Sequence, residues 1–224
     1  MTNLNKNSKL QTKSFYYGGN KQVPRLVIPR LSLYYRLLKA IVENDIISSE
    51  EISARTGFSA AQVRRDLAFF GQFGVPGKGY NIEGLKSVLS SILGINQVWN
   101  VALCGAGNLG TALLGYKGFA KQCLQIVAAF DVNKKKIGKL YRGIKIYALK
   151  ELPKIVIKEN IKMAIVTAPA EGAQELIDKI IHSGIKFIIN FAPLRLKVPN
   201  GVKVHNIDIA MEMEQLSFWA KQEM

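Results

Sequence analysis

A glycine-rich hexapeptide near the middle of the chain limits the second half to one kind of fold. Residues 98–104 are apolar and strand-like and run into Gly105-Ala106-Gly107-Asn108-Leu109-Gly110, after which residues 111–120 carry helical spacing. A second strand-like run, 124–130, ends in Asp131, 21 residues beyond Gly110. In such a strand–loop–helix turn Gly105 makes the reversal, Gly107 lets backbone approach a pyrophosphate, and Gly110 lets the helix pack closely. Ala106, Asn108 and Leu109 complete the loop, and the helix that follows favours phosphate charge. An acid about 20 residues further on is placed for ribose hydroxyls. Asp131 therefore points to NAD(H) over NADP(H), whose 2′-phosphate it would repel. Lys134, Lys135 and Lys136 come next and read as the exposed start of a short helix.

Strand-like runs recur at 144–147, 163–167, 186–191 and 202–205, separated by helical stretches such as 171–182. This alternation predicts an α/β fold, a doubly wound parallel sheet of Rossmann type. Loops at the carboxyl ends of the strands line the site in such folds. Thr167-Ala168-Pro169 and Asn190-Phe191-Ala192-Pro193 are therefore candidate neighbours of a nicotinamide. Only 19 residues follow His205, too few for the substrate domain that most dehydrogenases add.

The first half has a different pattern. From Leu31 the apolar residues Leu31, Tyr34, Tyr35, Leu38, Ile41 and Val42 fall on one helical face, with Ser32 available as a cap. Ser48 and Glu51 have the spacing of a capping box, Ile52 faces the core of the next helix, and Gly57 stops it. Ser59 and Gln62 have the same box spacing and open a helix that buries Val63, Leu67 and Phe70. Two short helices joined this closely are a helix-turn-helix, here over about 32–70. On the second of them Ser59, Gln62, Arg64 and Arg65 lie near the start or away from the apolar face. Gln and Arg suit bidentate contacts with adenine and guanine edges. Glycines at 71, 74, 77 and 79 make residues 71–80 a two-stranded wing with Lys78 at its tip. Asn81 then caps a helix carrying Ile82, Leu85, Leu89 and Ile92. The whole is a winged helix, although such units also occur as plain packing elements.

Charge agrees with a nucleic-acid partner without locating it. The chain carries 31 Lys and Arg against 16 Asp and Glu, a net +15. The surplus is spread evenly, +7 over residues 1–96 and +8 over 97–224. A Lys-rich surface alone gives the same total. Eight basic residues nevertheless precede the first acid, Glu43, so the start of the chain is suited to phosphate backbones. With only Cys104 and Cys123, neither a disulfide framework nor a Cys-based zinc site is expected. No apolar run approaches the roughly 18 residues of a membrane span. Lysines and arginines interrupt the first thirty residues where a leader would be apolar. A cytoplasmic protein is expected. His182 and His205 stand in no catalytic or metal-binding spacing, so neither a metal nor a catalytic residue is predicted.

Together these segments resemble the bacterial redox-sensing transcriptional repressor family Rex, from Val23 to about Ala220. The matching stretches are Val23-Pro24, Arg30-Leu31, Tyr34-Tyr35-Arg36, Gln62-Val63-Arg64-Arg65-Asp66-Leu67, Phe70-Gly71 and Gly77-Lys78-Gly79-Tyr80-Asn81. The glycine loop, Asn190-Phe191-Ala192-Pro193 and Ile207-Asp208 complete the match. The resemblance implies a homodimer in which each chain has a winged helix (23–94), a Rossmann domain binding NAD(H) (95–206) and a C-terminal helix swapped into its partner (207–224), behind a basic tail (1–22). It further implies that operator DNA is bound when NADH is scarce and released when NADH binds. Three switch positions follow: Tyr116 near the nicotinamide, Asp208 reaching from the partner, and Arg36 on the first helix. Asp208 would pair with Arg36 in the DNA-bound form and turn to Tyr116 with NADH. A closed apolar pocket would favour NADH, because the oxidised ring carries a charge that is costly to desolvate. The chain departs from the family pattern at Val75-Pro76, where a basic residue is usual, and at Ile209, where Phe or Leu is usual. The rival reading is a small NAD-dependent oxidoreductase whose winged helix binds no DNA.

Overall fold

Val27, Leu31, Tyr34 and Leu38 sit four, three and four residues apart, and all four are buried on one face of the first helix, α1 (Val27–Ala40). The helix begins upstream of the expected cap at Ser32. Pro29 occupies its first turn, where a missing N–H has no acceptor to lose. The computed structural model describes residues 14–17, 21–41, 45–75 and 77–223, and the chain divides into two units, Met1–Asn96 and Gln97–Met224. Residues 1–13 and 18–20 of the expected tail, together with Val42, Glu43 and Pro76, lie outside the described residues. Ser14–Tyr17 (β1), expected within that tail, instead pairs antiparallel with Lys21–Pro24 (β2).

In the first unit α1 is followed by Ile46–Ile47 (β3), Ser49–Thr56 (α2), Ala60–Ala68 (α3), Gly74–Val75 (β4), Gly79–Asn81 (β5) and Ile82–Ile92 (α4). The local signals act as read. Glu51 N–H donates to Ser48 Oγ, and Ser48 N–H donates to Glu51 Oε2 at 2.8 Å. Gly57 closes α2 in the left-handed region at φ +77°, which costs glycine no steric clash. Asn81 caps α4 through Gly84 N–H. The second box is corrected to a half box: Gln62 N–H donates to Ser59 Oγ, but the Gln62 side chain turns away toward Asp66. The wing also differs, because β3 joins β4 and β5 in the order β3-β5-β4. The core of this unit unites Leu31, Tyr34 and Leu38 of α1 with Ile52, Val63 and Leu67 of the helix-turn-helix and Leu85 and Leu89 of α4.

The second unit runs Trp99–Cys104 (β6), Asn108–Leu114 (α5), Leu124–Asp131 (β7), Leu140–Tyr141 (β8), Ile144–Ala148 (β9), Leu152–Lys158 (α6), Met163–Val166 (β10), Ala173–His182 (α7), Phe187–Asn190 (β11), Lys203–Asn206 (β12) and Ile209–Gln222 (α8). Seven strands of the described residues form one sheet in the order β12-β11-β10-β6-β7-β9-β8. Apart from the edge strand β8, which is antiparallel, all pairings are parallel. Alternate residues of β6 fill both faces, Ala102 and Cys104 on one side and Val101 and Leu103 on the other. Burial on both faces is what a parallel sheet requires. The expected helix 111–120 is corrected to α5, which stops before Gly115 and leaves Tyr116 beyond its end.

Candidate functional site

Counted from β6, the parallel strands have the order 3-2-1-4-5-6, and the direction of winding reverses between β6 and β10. Ligands of doubly wound folds bind where the order reverses, at the carboxyl ends of those strands. The glycine loop leaves β6 there, and Thr167-Ala168-Pro169 leaves β10 beside it. Gly105 has φ +104°, and a Cβ on it would stand 2.9 Å from the Thr167 carbonyl oxygen. Thr167 Oγ1 donates to the Gly105 carbonyl at 2.6 Å. A Cβ on Gly110 would run into that same Gly105 oxygen and stand 2.9 Å from Thr167 Oγ1. Gly107 is different: no atom lies within 4 Å of where its Cβ would stand. The loop is therefore tight at both ends and open in the middle, a cradle into which a phosphate fits.

Asp131 ends β7 next to this loop. Its Oδ2 accepts from Ala106 N–H at 2.8 Å and its Oδ1 from Asn133 N–H at 2.8 Å. A carboxylate has about four acceptor positions, so capacity for ribose hydroxyls remains. The lysine run is corrected: it starts no helix but forms a turn on Asn133, whose side chain accepts from Lys135 N–H. Lys136 folds back, donating to the Ala106 carbonyl at 2.7 Å and lying 3.7 Å from Asp131 Oδ2. Asn190 is buried and held by Ala192 and Asn206, so its side chain shapes the β11 loop. Pro169, Asn108 and Leu109 are exposed on the rim.

Tyr116 is 60% exposed and packs edge-to-face on Phe119, ring centres 5.0 Å apart. Its ring lies across Gly118, where a Cβ would collide with it. The sequence held no spacing signal for Gly118. Asp208 caps α8, accepting from Met211 N–H at 3.1 Å. Arg36 is exposed on α1.

On the winged helix, Arg65 and Lys78 are exposed. Arg64 is committed locally: Nη1 donates to Ser49 Oγ at 2.8 Å and to Glu50 Oε1 at 2.9 Å, tying α3 to the start of α2. Arg64 and Lys78 line one cleft of about 540 Å³ between the helices and the wing. Beneath α3 lies a group that pattern reading passed over as a mere motif letter. Asp66 is completely buried. It accepts from Arg30 Nε at 2.6 Å, Arg30 Nη2 at 2.8 Å, Tyr34 Oη at 2.9 Å and Gln62 Nε2 at 2.7 Å. The bond to Asp66 holds the Arg30 guanidinium above its ordinary pKa, and burial foremost pushes the Tyr34 hydroxyl up. Removing one partner from such a buried pair costs roughly 3–5 kcal/mol.

Among the described residues, Cys104 and His182 are both held in structural settings. Cys104 is buried in the sheet, and burial pushes its thiol up to about 12, far from a usable thiolate. His182 is bonded to the Asp178 carbonyl on its own helix. Among the described residues no group of three or more His, Cys, Asp or Glu could hold a metal, and no helix is long and apolar enough to cross a membrane.

Two family models match the chain in order: "Putative DNA-binding protein N-terminus" over residues 22–68 and "CoA binding domain" over residues 96–194. A redox-sensing transcriptional repressor Rex of Pelotomaculum thermopropionicum is 43% identical over 199 residues, covering 88% of this chain and 93% of that protein. The chain belongs to the Rex family. A Rex-family repressor, RSP, has been crystallised with NAD+ and operator DNA, and that structure matches at TM-score 0.85 and 35% identity over 90% of this chain and 94% of RSP. RSP with NADH bound matches at TM-score 0.79 and 34% identity over 90% and 95% of the two chains. Rex relatives thus share both units of this chain, the winged helix as well as the Rossmann sheet.

Proposed function

We infer that this chain is a redox-sensing transcriptional repressor, binding operator DNA when NADH is scarce and leaving it when NADH binds. The observation that carries this is the match to RSP across both units, since RSP has been seen with operator DNA and with NADH. The chain is a ligand-controlled repressor and not an oxidoreductase.

The residue assignments are ours. Gly105, Ala106, Gly107, Asn108, Leu109 and Gly110 would cradle the pyrophosphate, and Asp131 would hold the ribose. Thr167 and Pro169 would border the nicotinamide side, with Tyr116 of the same chain and Asp208 of a partner beside the ring. NADH supplies no chemistry here; its uncharged reduced ring is the signal. Arg65, Ser59 and Lys78 would meet the duplex, with Arg64 beside them once its bond to Glu50 is exchanged for a phosphate. Residues 23–94 would form the DNA-reading domain and 95–206 the sensor. Residues 207–224 would form a helix swapped between protomers of a homodimer. Asp208 would alternate between Arg36 and Tyr116. The cytoplasm is the compartment where both ligands meet.

Electrophoretic mobility shift on the DNA upstream of its own gene, titrated with NADH and NAD+, tests this reading. NADH should release the duplex at concentrations where NAD+ does not. Operator binding indifferent to NADH, or steady NADH consumption with a metabolite, would sink it. Arg65→Ala should weaken operator binding roughly tenfold or more, the loss of one bidentate base contact, with NADH affinity near wild type by fluorescence titration. Gly118→Ala offers a finer check on Tyr116. Because the ring is exposed it can swing aside, so the melting temperature should stay within a few degrees. The NADH concentration needed for release should rise severalfold.

A further inference from the structure

Gln62 has the residue type and place of a base reader, yet both ends of its amide are occupied within the protein. Its NH2 donates to Asp66 Oδ1 at 2.7 Å, and its carbonyl accepts from Arg65 Nη2 at 3.0 Å. The carboxylate below and the guanidinium above dictate which way the amide faces, since only the nitrogen donates and only the oxygen accepts. Asp66 is in turn fixed by two bonds from Arg30 and one from Tyr34, both on α1. Arg30 also lies 5.8 Å from the centre of the Phe58 ring, against which Tyr34 packs edge-on. A continuous polar chain therefore runs from α1 through Asp66 and Gln62 to Arg65.

We propose that Gln62 is a positioning residue for Arg65, anchored by Asp66, and that base readout on this helix belongs to Arg65. An exposed arginine samples many rotamers, and ordering it against DNA costs affinity. A guanidinium already held by Gln62 has lost that freedom beforehand. One bond to Gln62 uses one of its five N–H donors, and the planar fork that suits a guanine edge is kept. The anchor explains why a fully buried carboxylate is placed beneath a recognition helix: it makes the direction of one surface side chain depend on the core.

This proposal rests on the DNA-binding reading, and a double-mutant cycle separates the two. The probes are a duplex enriched from a random-sequence pool by the wild-type protein and a scrambled duplex of equal length. Gln62→Met keeps volume, helix propensity and the Arg30–Asp66 pair while removing both amide bonds. Gln62→Met and Arg65→Ala should each lower affinity for the enriched duplex about tenfold. The double variant should be no weaker than Arg65→Ala alone, and Gln62→Met, which changes no charge, should bind the scrambled duplex as the wild type does. Asp66→Asn, if it folds by thermal denaturation, should reproduce the Gln62→Met loss. Losses that add in the double variant would show that Gln62 touches a base itself and would overturn the proposal, as would wild-type affinity in Gln62→Met. Failure of the wild-type chain to enrich any duplex would overturn the DNA-binding reading and the proposal with it.

Discussion

Gly110→Ala is expected to leave a repressor that still binds its operator but no longer releases it to NADH. A Cβ at this position meets the Gly105 carbonyl oxygen, which is backbone, and no rotamer relieves the overlap. Either α5 must lift away from the loop or the loop must move. Both motions break the bond from Thr167 Oγ1 to that carbonyl and spoil the cradle around Gly107. Inserting one methyl group into so close a contact costs roughly 1–3 kcal/mol, and the distortion falls where the pyrophosphate would lie. NADH affinity should drop about hundredfold by fluorescence titration. The first unit has its own core, so operator affinity without NADH should stay within about twofold. Wild-type release by NADH in this variant would show that the glycine loop is not the sensor.

The second large effect is expected from α8. Ile209, Met211, Met213, Leu216, Phe218 and Trp219 are all exposed, Trp219 by 64%, and no residue of the helix is buried. A helix apolar on this scale is stable in water only when another surface covers it. In a swapped homodimer that surface is the partner. Leu216→Glu with Trp219→Glu would place two charges in the interface without shortening the chain. Light scattering after size exclusion should then report a monomer. Operator affinity should fall roughly a hundredfold, because two half-sites are no longer engaged by one linked pair. A dimer that persists in this variant would move the interface elsewhere.

Local signals in the sequence were reliable where one or two neighbouring residues decide the outcome. Ser48 with Glu51, Gly57, Asn81, Gly105 and Gly110 take the local conformations their spacing implied, since each satisfies backbone groups within its own turn or carries a steric demand of its own. Boundaries were less legible when the decision lay between competing neighbours. The first helix starts at Val27, upstream of the expected cap at Ser32, and Gly115 ends α5 sooner than the apolar run suggests. Contacts between distant residues left no trace at all. The spacing from Val63 and Leu67 puts Asp66 on the inward face of α3, but Arg30 is 36 positions away and nothing local names it as the partner. At Gln62 the spacing allowed a full capping box, but its side chain takes Asp66 four residues on and Arg65 three residues on instead. The pairing of Ile46–Ile47 with β5 likewise depends on the fold having already brought them together.

That last pairing has a mechanical consequence. The short strand between α1 and α2 is hydrogen-bonded to the wing, with Ile46 opposite Asn81 and Ile47 opposite Tyr80. Its neighbour in sequence, Ser48, caps the helix that precedes α3. The reading helix, the wing and the strand Ile46–Ile47 are thereby joined into a single lever. A sensor that acted on α1 through Arg36, as proposed above, would have no need to unfold or reshape the reader. Turning the lever by a few degrees in each half of a dimer would change the distance between two reading heads, and a fixed helical repeat of DNA would no longer fit between them.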